Sequence, residues 1–390
     1  MLGEARSKCE HIAQVPLQPG TAERLHQLYL AKGALATTAI EGNTLSEEEV
    51  VKHLEGKLRL PPSKQYLAKE IDNVVEACNW ILGEIVDGQS PRLTATLIKD
   101  FNHRVLKGLK LAEDVVPGEI RSHAVGVARY RAVPPEDCDF LLDRTCDWLN
   151  GQGFTPTANE LSDEDLSVAI LKAVIAHLYL AWIHPFGDGN GRTARLIEFL
   201  ILVTSGVPSD AAHLLSNHYN QTRTEYYRQL DRASMSGGDI MPFLEYAVEG
   251  SVDGLRAQLG LVRGQQLRTI WRDYVYGQFH DRNSKADTRR RHLVLDISER
   301  DEPVAVNKLR EVSPRVAEGY AGKSSKTLFR DLKLLKEMSL IQVDEQGVQA
   351  RRDLILSFLP VGQIPKTPKF ILSPNKSVPR SHKTQGGQVI

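Results

Sequence analysis

Residues 184–195, HPFGDGNGRTAR, hold the densest group of side chains in this sequence that could do chemistry. Closely spaced glycines in the middle of the stretch would let backbone N–H groups turn toward an anion. A helix that begins near Asn190 would add the positive end of its dipole. The spacing therefore predicts a loop that binds phosphate.

The charged residues of this loop suit a reaction on a polyphosphate. Arg192 and Arg195 share a helical face in a first turn, where the dipole disfavours cations unless an anion binds there. Asp188 offers a hard oxygen ligand for Mg²⁺, and His184 is a neutral imidazole that can take a proton from a hydroxyl. Singly, such residues are typical of a helix cap, a turn and a solvated helix. Together in one short loop, they indicate a catalytic site.

Two apolar segments flank the loop and would hold it in place. Residues 165–183 are apolar at helical spacing, and residues 196–203 are apolar almost all round. This pattern predicts two buried helices joined by a polar loop.

The loop resembles the signature of the Fic family, HxFx(D/E)GNGRxxR, and matches it at every fixed position. The resemblance implies a mainly α Fic (Fido) fold with a β-hairpin flap. It also implies a nucleotidyltransferase, a protein adenylyltransferase that moves AMP from ATP to a Ser, Thr or Tyr hydroxyl of a protein, itself included.

The resemblance also assigns roles within the loop. It implies that His184 is the general base and Asp188 the Mg²⁺ ligand. The residues that would bind ATP are Gly189, Asn190, Gly191, Arg192, Thr193, Ala194 and Arg195, with Arg195 on the γ-phosphate. The kinase-like branch of the family has a bulkier cationic residue where Gly191 stands, so this glycine favours nucleotidyl transfer over phosphorylation.

Residues 37–42, TTAIEG, form a second stretch of interest. Alone, they are typical of a helix C-terminus with glycine in the left-handed cap position. They are also similar to the inhibitory motif of the family, (S/T)xxxE(G/N). By that resemblance Glu41 would pair with Arg195, fill the γ-phosphate position and make the enzyme self-inhibited. In an alternative function, Glu41 would orient water, and the enzyme would mainly remove AMP from a modified protein.

Residues 117–127 change to an alternating, β-like pattern within a helical region. A surface hairpin is one interpretation. The segment is also similar to the PGxxR-like stretch that precedes the flap of Fic proteins. Such a flap would hold the target peptide by strand pairing and bring its hydroxyl to His184.

A cluster of tyrosines lies in residues 217–230, which are predicted to form one helix. Tyrosines in a helix are more often part of a core than ligand contacts. The family resemblance, however, places this helix beside the adenine. Tyr227 is the first choice for a nucleotide contact, followed by Tyr219, Asn220 and Tyr226.

The predicted domains follow these segments. Residues 1–60 would be an N-terminal arm, irregular over 1–20, and the inhibitory helix. Residues 61–280 would be the catalytic domain with a helical extension. The helix of this extension, from residue 240 to about 280, is expected to break near Gly250 or Gly260. Residues 281–360 would be a second domain, which begins with a solvated linker over 281–291. Residues 361–390, rich in Pro, Ser, Lys and Gly, would be a disordered tail.

The second domain resembles a winged helix-turn-helix, an α+β fold. Helices are predicted over 292–299, 304–312 and 324–338, and strands over 340–343 and 348–356. The outer face of the last helix is basic, so DNA is one candidate partner for residues 291–356. A protein-docking or dimerising role is favoured over it. In a further alternative function, the protein is a transcription regulator that senses nucleotide.

Composition limits the other partners. The chain has 49 basic and 49 acidic residues, so it has no overall charge to attract nucleic acid or an anionic membrane. We expect no membrane-spanning run, no signal peptide and a cytoplasmic protein. The spacing of Cys9, Cys78, Cys138 and Cys146 favours neither disulfides nor zinc.

Overall fold

The computed structural model describes residues 1–17, 19–127, 130–154 and 165–356, and it divides into two compact units, Met1–Val262 and Arg263–Ile390. Residues 155–164 and all of the predicted tail, 361–390, lie outside the described residues. In chain order, the elements up to the boundary are α1 Leu2–Gln14, α2 Pro19–Ala39, α3 Glu47–Leu54, α4 Gln65–Val86, α5 Ala95–Leu106, β1 Gly126–Val127, β2 Tyr130–Arg131, α6 Pro135–Leu149, α7 Asp165–Ile183, α8 Asn190–Thr204, α9 Ser209–Ala212, α10 Leu214–Gln221, α11 Arg223–Met235 and α12 Met241–Gln278. The boundary falls within α12, before the predicted one at residue 280. Beyond α12 come α13 Lys285–Ser298, α14 Pro314–Tyr320, α15 Ser325–Glu337, β3 Ile341–Asp344 and β4 Gly347–Ala350.

The first unit is organised around α7 and α8, which pack along each other. Ala173, Val174 and Leu178 of α7 are fully buried. Side chains are buried on all sides of α8, because this helix also packs against α2, α4 and α5. The prediction of two buried helices joined by a polar loop is confirmed. Their packing fixes both ends of the loop.

By length and composition alone, α7 could cross a membrane. Its window Leu166–Ile183 has a mean hydropathy of 1.9, and 56% of that window is buried inside the protein. The expectation that no apolar run reaches this length is therefore wrong. The apolar character of α7 is explained by its place in the core, since a helix that is apolar all round must be buried.

The N-terminal residues that were expected to be irregular form α1. Ala5 and Cys9, one helical turn apart, are buried, and Leu2 and Ile12 pack against the same core. A stripe at this spacing is enough to fix a helix on a neighbouring apolar surface. Pro19, within the segment expected to be irregular, is the first residue of α2, where a missing N–H costs nothing.

Two predictions about helix breaks are also wrong. Residues 217–230 are split between α10 and α11 at Thr222, whose hydroxyl donates to the His218 carbonyl at 2.7 Å and competes with the helical ladder. By contrast, α12 continues past Gly250. A Cβ on Gly250 would lie 2.1 Å from the His218 ring, so this glycine permits close packing and does not break the helix.

In the second unit, α13, α14 and α15 precede the antiparallel hairpin of β3 and β4. Between α13 and α14, Val304 adds an antiparallel bridge to Val348 in β4. Trp271, Tyr320 and Leu332 belong to the core that these elements share. The predicted order of helices followed by a hairpin is therefore observed in residues 285–356.

The bounds of these elements differ from the prediction. The expected linker 281–291 lies largely in α13, which follows the N-cap Ser284. The helix expected over 304–312 is a 3₁₀ segment, Val306–Glu311, followed by α14. The last strand ends at Ala350, before a 3₁₀ turn. Each difference lies at a capping serine, a proline or a turn, where local hydrogen bonds outweigh the apolar pattern.

Asp331, in the middle of α15, explains why the run of arginines in α13 is not solvated. Its carboxylate is 1% exposed. It accepts hydrogen bonds from Arg289 Nη2 at 2.8 Å, Arg290 Nε at 2.7 Å and Tyr320 Oη at 3.0 Å. These bonds tie α15 to α13 and α14 through one buried charge.

Replacement of this carboxylate should destabilise the second unit. Asp331→Ala removes the carboxylate partner of Arg289 and leaves Arg290 with Asp287 alone, and we expect a loss of about 3 kcal/mol in the free energy of unfolding. Urea unfolding of the full chain measures the loss. Glu337→Ala, on the same helix but with a side chain 59% exposed, is the control and should change stability by less than about 0.5 kcal/mol. Equal losses in the two variants would contradict the role given to Asp331.

Candidate active site

The loop between α7 and α8 begins at His184, whose φ of 47° lies in the left-handed region that residues other than glycine rarely adopt. Its N–H donates to the Leu180 carbonyl at 2.8 Å, at the end of α7. The chain turns there and leaves the residue half-buried. Such backbone strain persists only where neighbouring groups hold it, and it is frequent at functional sites.

Arg121 holds this turn. Its side chain is buried; Nε donates to the His184 carbonyl at 2.8 Å, and its backbone N–H donates to the Pro185 carbonyl at 3.0 Å. The other guanidinium nitrogens donate to the carbonyls of His123 and Val133. The sequence identified Arg121 only as part of the segment before the hairpin. In the structure it positions the backbone of His184.

A short hairpin follows this segment, as predicted. Gly126 pairs with Arg131 and Val127 with Tyr130 in an antiparallel register. Because Arg121 bonds both to the loop and to the His123 carbonyl, the start of the hairpin is tied to the loop that carries His184.

Three of the predicted ATP-binding residues use their side chains inside the protein. The Asn190 amide accepts from the Phe186 N–H at 3.0 Å and donates to its carbonyl at 2.8 Å. The Thr193 hydroxyl donates to the Gly189 carbonyl at 2.8 Å, and Ala194 is buried in the core. Internal hydrogen bonds of these side chains hold the tight turn, so the contacts predicted for these residues would be made by their backbone; their ATP binding stays a prediction.

The N-terminus of α8 is open to an anion. Its N-cap is Gly189, with a φ of 76°, and no side chain caps the first turn. The helix therefore presents N–H groups and the positive end of its dipole to the loop. A side chain on Gly189 would meet Asn102, since a Cβ would lie 2.9 Å from the Asn102 Nδ2.

Asn102, a buried residue of α5 that the sequence reasoning missed, links two parts of the site. Its Nδ2 donates to the Asp188 carbonyl at 2.9 Å, and its Oδ1 accepts from the Gly118 N–H at 2.9 Å. One amide thus fixes the loop and the segment before the hairpin. No sequence signal distinguishes it from other polar residues of an amphipathic helix.

Arg192 lies between two carboxylates. Its Nη2 donates to Asp188 Oδ1 at 3.0 Å, and its Nη1 lies 3.4 Å from Glu70 Oε1. Its buried Nε has no hydrogen-bond partner among the described residues. The Asp188 side chain is 49% exposed, so it can turn toward a cation at the surface of the loop. The sequence predicted Asp188 and Arg192 at this site but not Glu70.

Glu70, on α4, connects Arg192 to the turn that follows α2. Its Oε2 accepts from Asn43 Nδ2 at 2.8 Å, and the same amide donates to the Leu67 carbonyl at 2.9 Å. Burial raises the pKa of Glu70, and the carboxylates of Asp188 and Glu41 raise it further, whereas Asn43 and Arg192 oppose the shift. Glu70 therefore bonds to the loop through Arg192 and to the turn through Asn43, although its surroundings on balance disfavour its charged form.

Arg195 is held by the segment that resembles the inhibitory motif. Its side chain is 1% exposed. Nε donates to Thr37 Oγ1 at 2.6 Å, and Nη2 donates to the Thr37 carbonyl at 2.9 Å and to Glu41 Oε1 at 2.5 Å. The buried Nη1 has no partner among the described residues. The two side chains that the resemblance pairs are thus in contact, and one donor of Arg195 remains for another acceptor.

Glu41 is a carboxylate in this position, although burial opposes its charge. Burial raises its pKa, but the charges of Arg195, Arg192 and Arg223 and the hydrogen bond from Arg195 outweigh it, so the pKa lies below its usual range. Its side chain is still 34% exposed. Glu41 therefore neutralises Arg195 while it stays accessible from solvent.

Gly191 provides the room for this pair. A Cβ on Gly191 would lie 2.2 Å from Glu41 Oε1 and 3.1 Å from both Nη atoms of Arg195. Any side chain at this position would occupy the place of the Glu41 carboxylate. Glycine is therefore required here for the contact with Glu41, in addition to the phosphate contact that the sequence predicted.

Tyr227 is partly exposed and contacts the turn that carries Glu41. Its hydroxyl donates to the carbonyl of Ile40, the residue before Glu41, at 3.2 Å. Its nucleotide contact stays a prediction. Tyr219 and Tyr226 are buried and bond to Glu198 and His177. Their rings and hydroxyls are enclosed in the core, which disfavours a nucleotide contact, and the contacts predicted for these two and for the half-buried Asn220 stay predictions.

The surroundings of His184 favour its neutral imidazole. Burial lowers the pKa of its imidazole, and the Arg121 charge acts in the same direction. A hydrogen bond with the Ala181 backbone and the charges of Glu41 and Asp188 oppose the shift without reversing it. The imidazole is therefore neutral near pH 7 and able to accept a proton.

Residues 92–202 match the model of the Fic/DOC family. This segment of the chain is therefore similar to a Fic domain. The match covers α7, α8 and the loop between them, while α2 and Glu41 lie before it. The fold is similar to that of a Fic family protein from Desulfovibrio desulfuricans, which is 22% identical with a TM-score of 0.53 over 87% of this chain and 89% of that one. It is also similar to Fic-1 from Caenorhabditis elegans, which is 25% identical with a TM-score of 0.52 over 67% and 72% of the two chains.

Curated relatives of the Fic domain carry the name protein adenylyltransferase. The fic-1 protein of Caenorhabditis elegans is 32% identical over 227 residues, 58% of this chain and 41% of that protein. The Fic protein of Nematostella vectensis is 30% identical over 210 residues, 54% of this chain and 44% of that protein. The chain thus spans less than half the length of these relatives.

The close approach of Glu41 to Gly191 can be tested by a double-mutant cycle on stability. Gly191→Ala should displace Glu41 from Arg195 and cost about 1.5–3 kcal/mol, the range for a hydrogen bond to a charged group. Glu41→Ala removes the same contact directly. The double variant should then lose no more stability than Glu41→Ala alone, because the new methyl group at residue 191 has no carboxylate left to clash with. Losses of stability that simply add would contradict the close approach of Glu41 to Gly191.

Proposed function

We propose that this chain is a protein adenylyltransferase that transfers AMP from ATP to a hydroxyl of a protein, itself included, and that Glu41 inhibits it. One observation carries the proposal: beside the open N-terminus of α8, the buried Nη1 of Arg195 and Nε of Arg192 lack acceptors in the described chain. Buried donors of this kind are rarely left without partners, and phosphate oxygens would supply them. The names of the curated relatives point to the same reaction.

In the proposed reaction, His184 accepts the proton of the target hydroxyl. The hydroxyl oxygen forms a bond to the α-phosphorus of ATP, and the bond from that phosphorus to the oxygen bridging to the β-phosphate breaks. Pyrophosphate leaves. Arg192, Arg195 and the N–H groups at the start of α8 stabilise the charge that moves onto the phosphates.

Asp188 fits the role of Mg²⁺ ligand, because its half-exposed carboxylate lies next to the N-terminus of α8. A Mg²⁺ ion there would neutralise phosphate charge when bound. Release of Asp188 from Arg192 would also free the Nη2 of that arginine for a phosphate oxygen.

Inhibition follows from competition for Arg195. The carboxylate of Glu41 occupies the donor that a terminal phosphate oxygen of ATP would use, and its negative charge would repel the incoming phosphates. Thr37 holds the guanidinium in place for either acceptor. Tyr227 and Asn43 fix the turn on both sides of Glu41.

Removal of AMP is a second candidate function, favoured by one observation. Glu41 is ionised and partly open to solvent, which suits a carboxylate that orients an attacking water. In that reaction, water would replace the protein oxygen on the phosphorus of a modified protein. A variant without Glu41 would then lose this hydrolysis while it gains transfer.

Mass measurement of the intact protein tests the proposed transfer. After incubation with ATP and Mg²⁺, Glu41→Gly should gain AMP about ten- to hundredfold faster than wild type, since a charge-assisted contact on Arg195 is lost. Adding His184→Ala to this variant should slow the gain by about a hundredfold or more. A Glu41→Gly variant that transfers no faster than wild type, to itself or to added cell extract, would contradict the inhibitory role.

The pH dependence of the Glu41→Gly variant tests the base. The reactive form of His184 is neutral, so the rate should fall as pH decreases through its pKa, which burial places below 6.5. The Glu41 charge raises that pKa, so its removal should move the acidic limb of kcat/KM further down. Thermal unfolding over the same pH range controls for loss of structure. An acidic limb above pH 6.5 would contradict the assignment.

A further inference from the structure

The second unit has an arrangement that the proposed transfer reaction does not use. In residues 285–356, the order is α13, the bridge at Val304, α14, α15 and the β3–β4 hairpin, with Val304 and β3 on either side of β4. The turn between α14 and α15 spans Ala321 to Ser324 and contains Gly322 in the left-handed region, with a φ of 64°. Two helices joined by a short turn with glycine are typical of a helix-turn-helix, whose second helix can enter the major groove of DNA.

The two faces of α15 differ in charge. Leu328, Asp331, Leu332 and Leu335 are buried. The opposite face carries the exposed residues Lys326, Phe329, Arg330, Lys333 and Lys336. Lys326, Arg330 and Lys333 follow one another at spacings of four and three residues, so they form a single stripe along the helix.

The acidic residues of this region do not cancel the stripe. The carboxylate of Asp331 points into the core, where Arg289 and Arg290 neutralise it. Glu337, at the end of α15, lies 4.0 Å from Lys333, at the limit of an ion pair between two exposed side chains. The cations therefore form a positive patch on the surface of α15, although the whole chain has a formal net charge of zero.

Phe329 gives this surface an apolar centre. It is 60% exposed, with Lys326, Arg330 and Lys333 around it on the helix. Within a major groove, an apolar side chain can contact a thymine methyl group while flanking cations bind phosphates. A protein partner would more often meet an aromatic residue with fewer cations around it, since interface cores are poor in lysine.

We propose that α15 binds double-stranded DNA through its exposed face, with Lys326, Arg330 and Lys333 on phosphates and Phe329 against base edges. The hairpin turn carries Asp344 and Glu345 and adds no cation, so the helix supplies the contacts. The buried charge of Asp331 holds this helix rigidly on α13 and α14. The binding is independent of the proposed transfer reaction.

Fluorescence anisotropy of a labelled mixed-sequence DNA duplex with the full chain tests the proposal. Wild type should bind, and log affinity against log salt should have a slope of about −3 for three phosphate contacts, or roughly a 40-fold loss between about 50 and 200 mM salt. The triple variant Lys326→Glu, Arg330→Glu, Lys333→Glu should bind at least about tenfold more weakly, with a shallower slope. Phe329→Ala should weaken binding and leave the slope unchanged, because it removes no charge.

A second triple variant controls for total charge. Lys52→Glu, Lys57→Glu and Arg228→Glu change the same residue types, with side chains 50%, 70% and 73% exposed, elsewhere on the chain. This variant should bind DNA almost as wild type does. If both triple variants bind DNA equally weakly, the loss of affinity is explained by net charge alone and the proposal is overturned. Failure of wild type to bind the duplex at low salt would also overturn it, and would leave the face to a protein partner.

Discussion

A buried guanidinium that needs acceptors organises the candidate active site. Arg195 is enclosed by α2, α8 and the turn that carries Glu41, and the surroundings provide acceptors for two of its three nitrogens. An unpaired charge in such a place would be strongly unfavourable, so the turn after α2 has to lie against α8. Gly191 makes this approach possible. The same requirement keeps one donor ready for a ligand.

The sequence predicts a site well where the functional residues are close neighbours in the chain. The spacing in residues 184–195 was enough to predict the loop between two buried helices and the side on which Arg192 and Arg195 lie. It could not separate residues that face a ligand from those that brace the turn, such as Asn190 and Thr193, because both uses need the same polar side chains. Only the hydrogen bonds of the folded loop distinguish them.

Groups that reach the site from distant helices left no signal in the sequence. Asn102 and Glu70 occupy ordinary polar positions of amphipathic helices, and their partners are far away in the chain. For the same reason, the sequence pattern predicts a solvated linker where the arginines of α13 lie, because their acceptor, Asp331, is on α15. The local sequence pattern predicts the secondary structure of a segment. The partner of a buried charge, in contrast, comes from whichever distant segment packs against it.

Under the proposed function, Glu41 is a tethered carboxylate that competes with nucleotide for Arg195. A tethered carboxylate has a fixed effective concentration, which does not change with the amount of protein. If the turn is open for about one part in a hundred of the time, the apparent affinity for a nucleotide falls about a hundredfold. Any partner or modification that alters the turn at Ile40 or Asn43 would then change the concentration of nucleotide at which the site fills, without touching the groups that bind it.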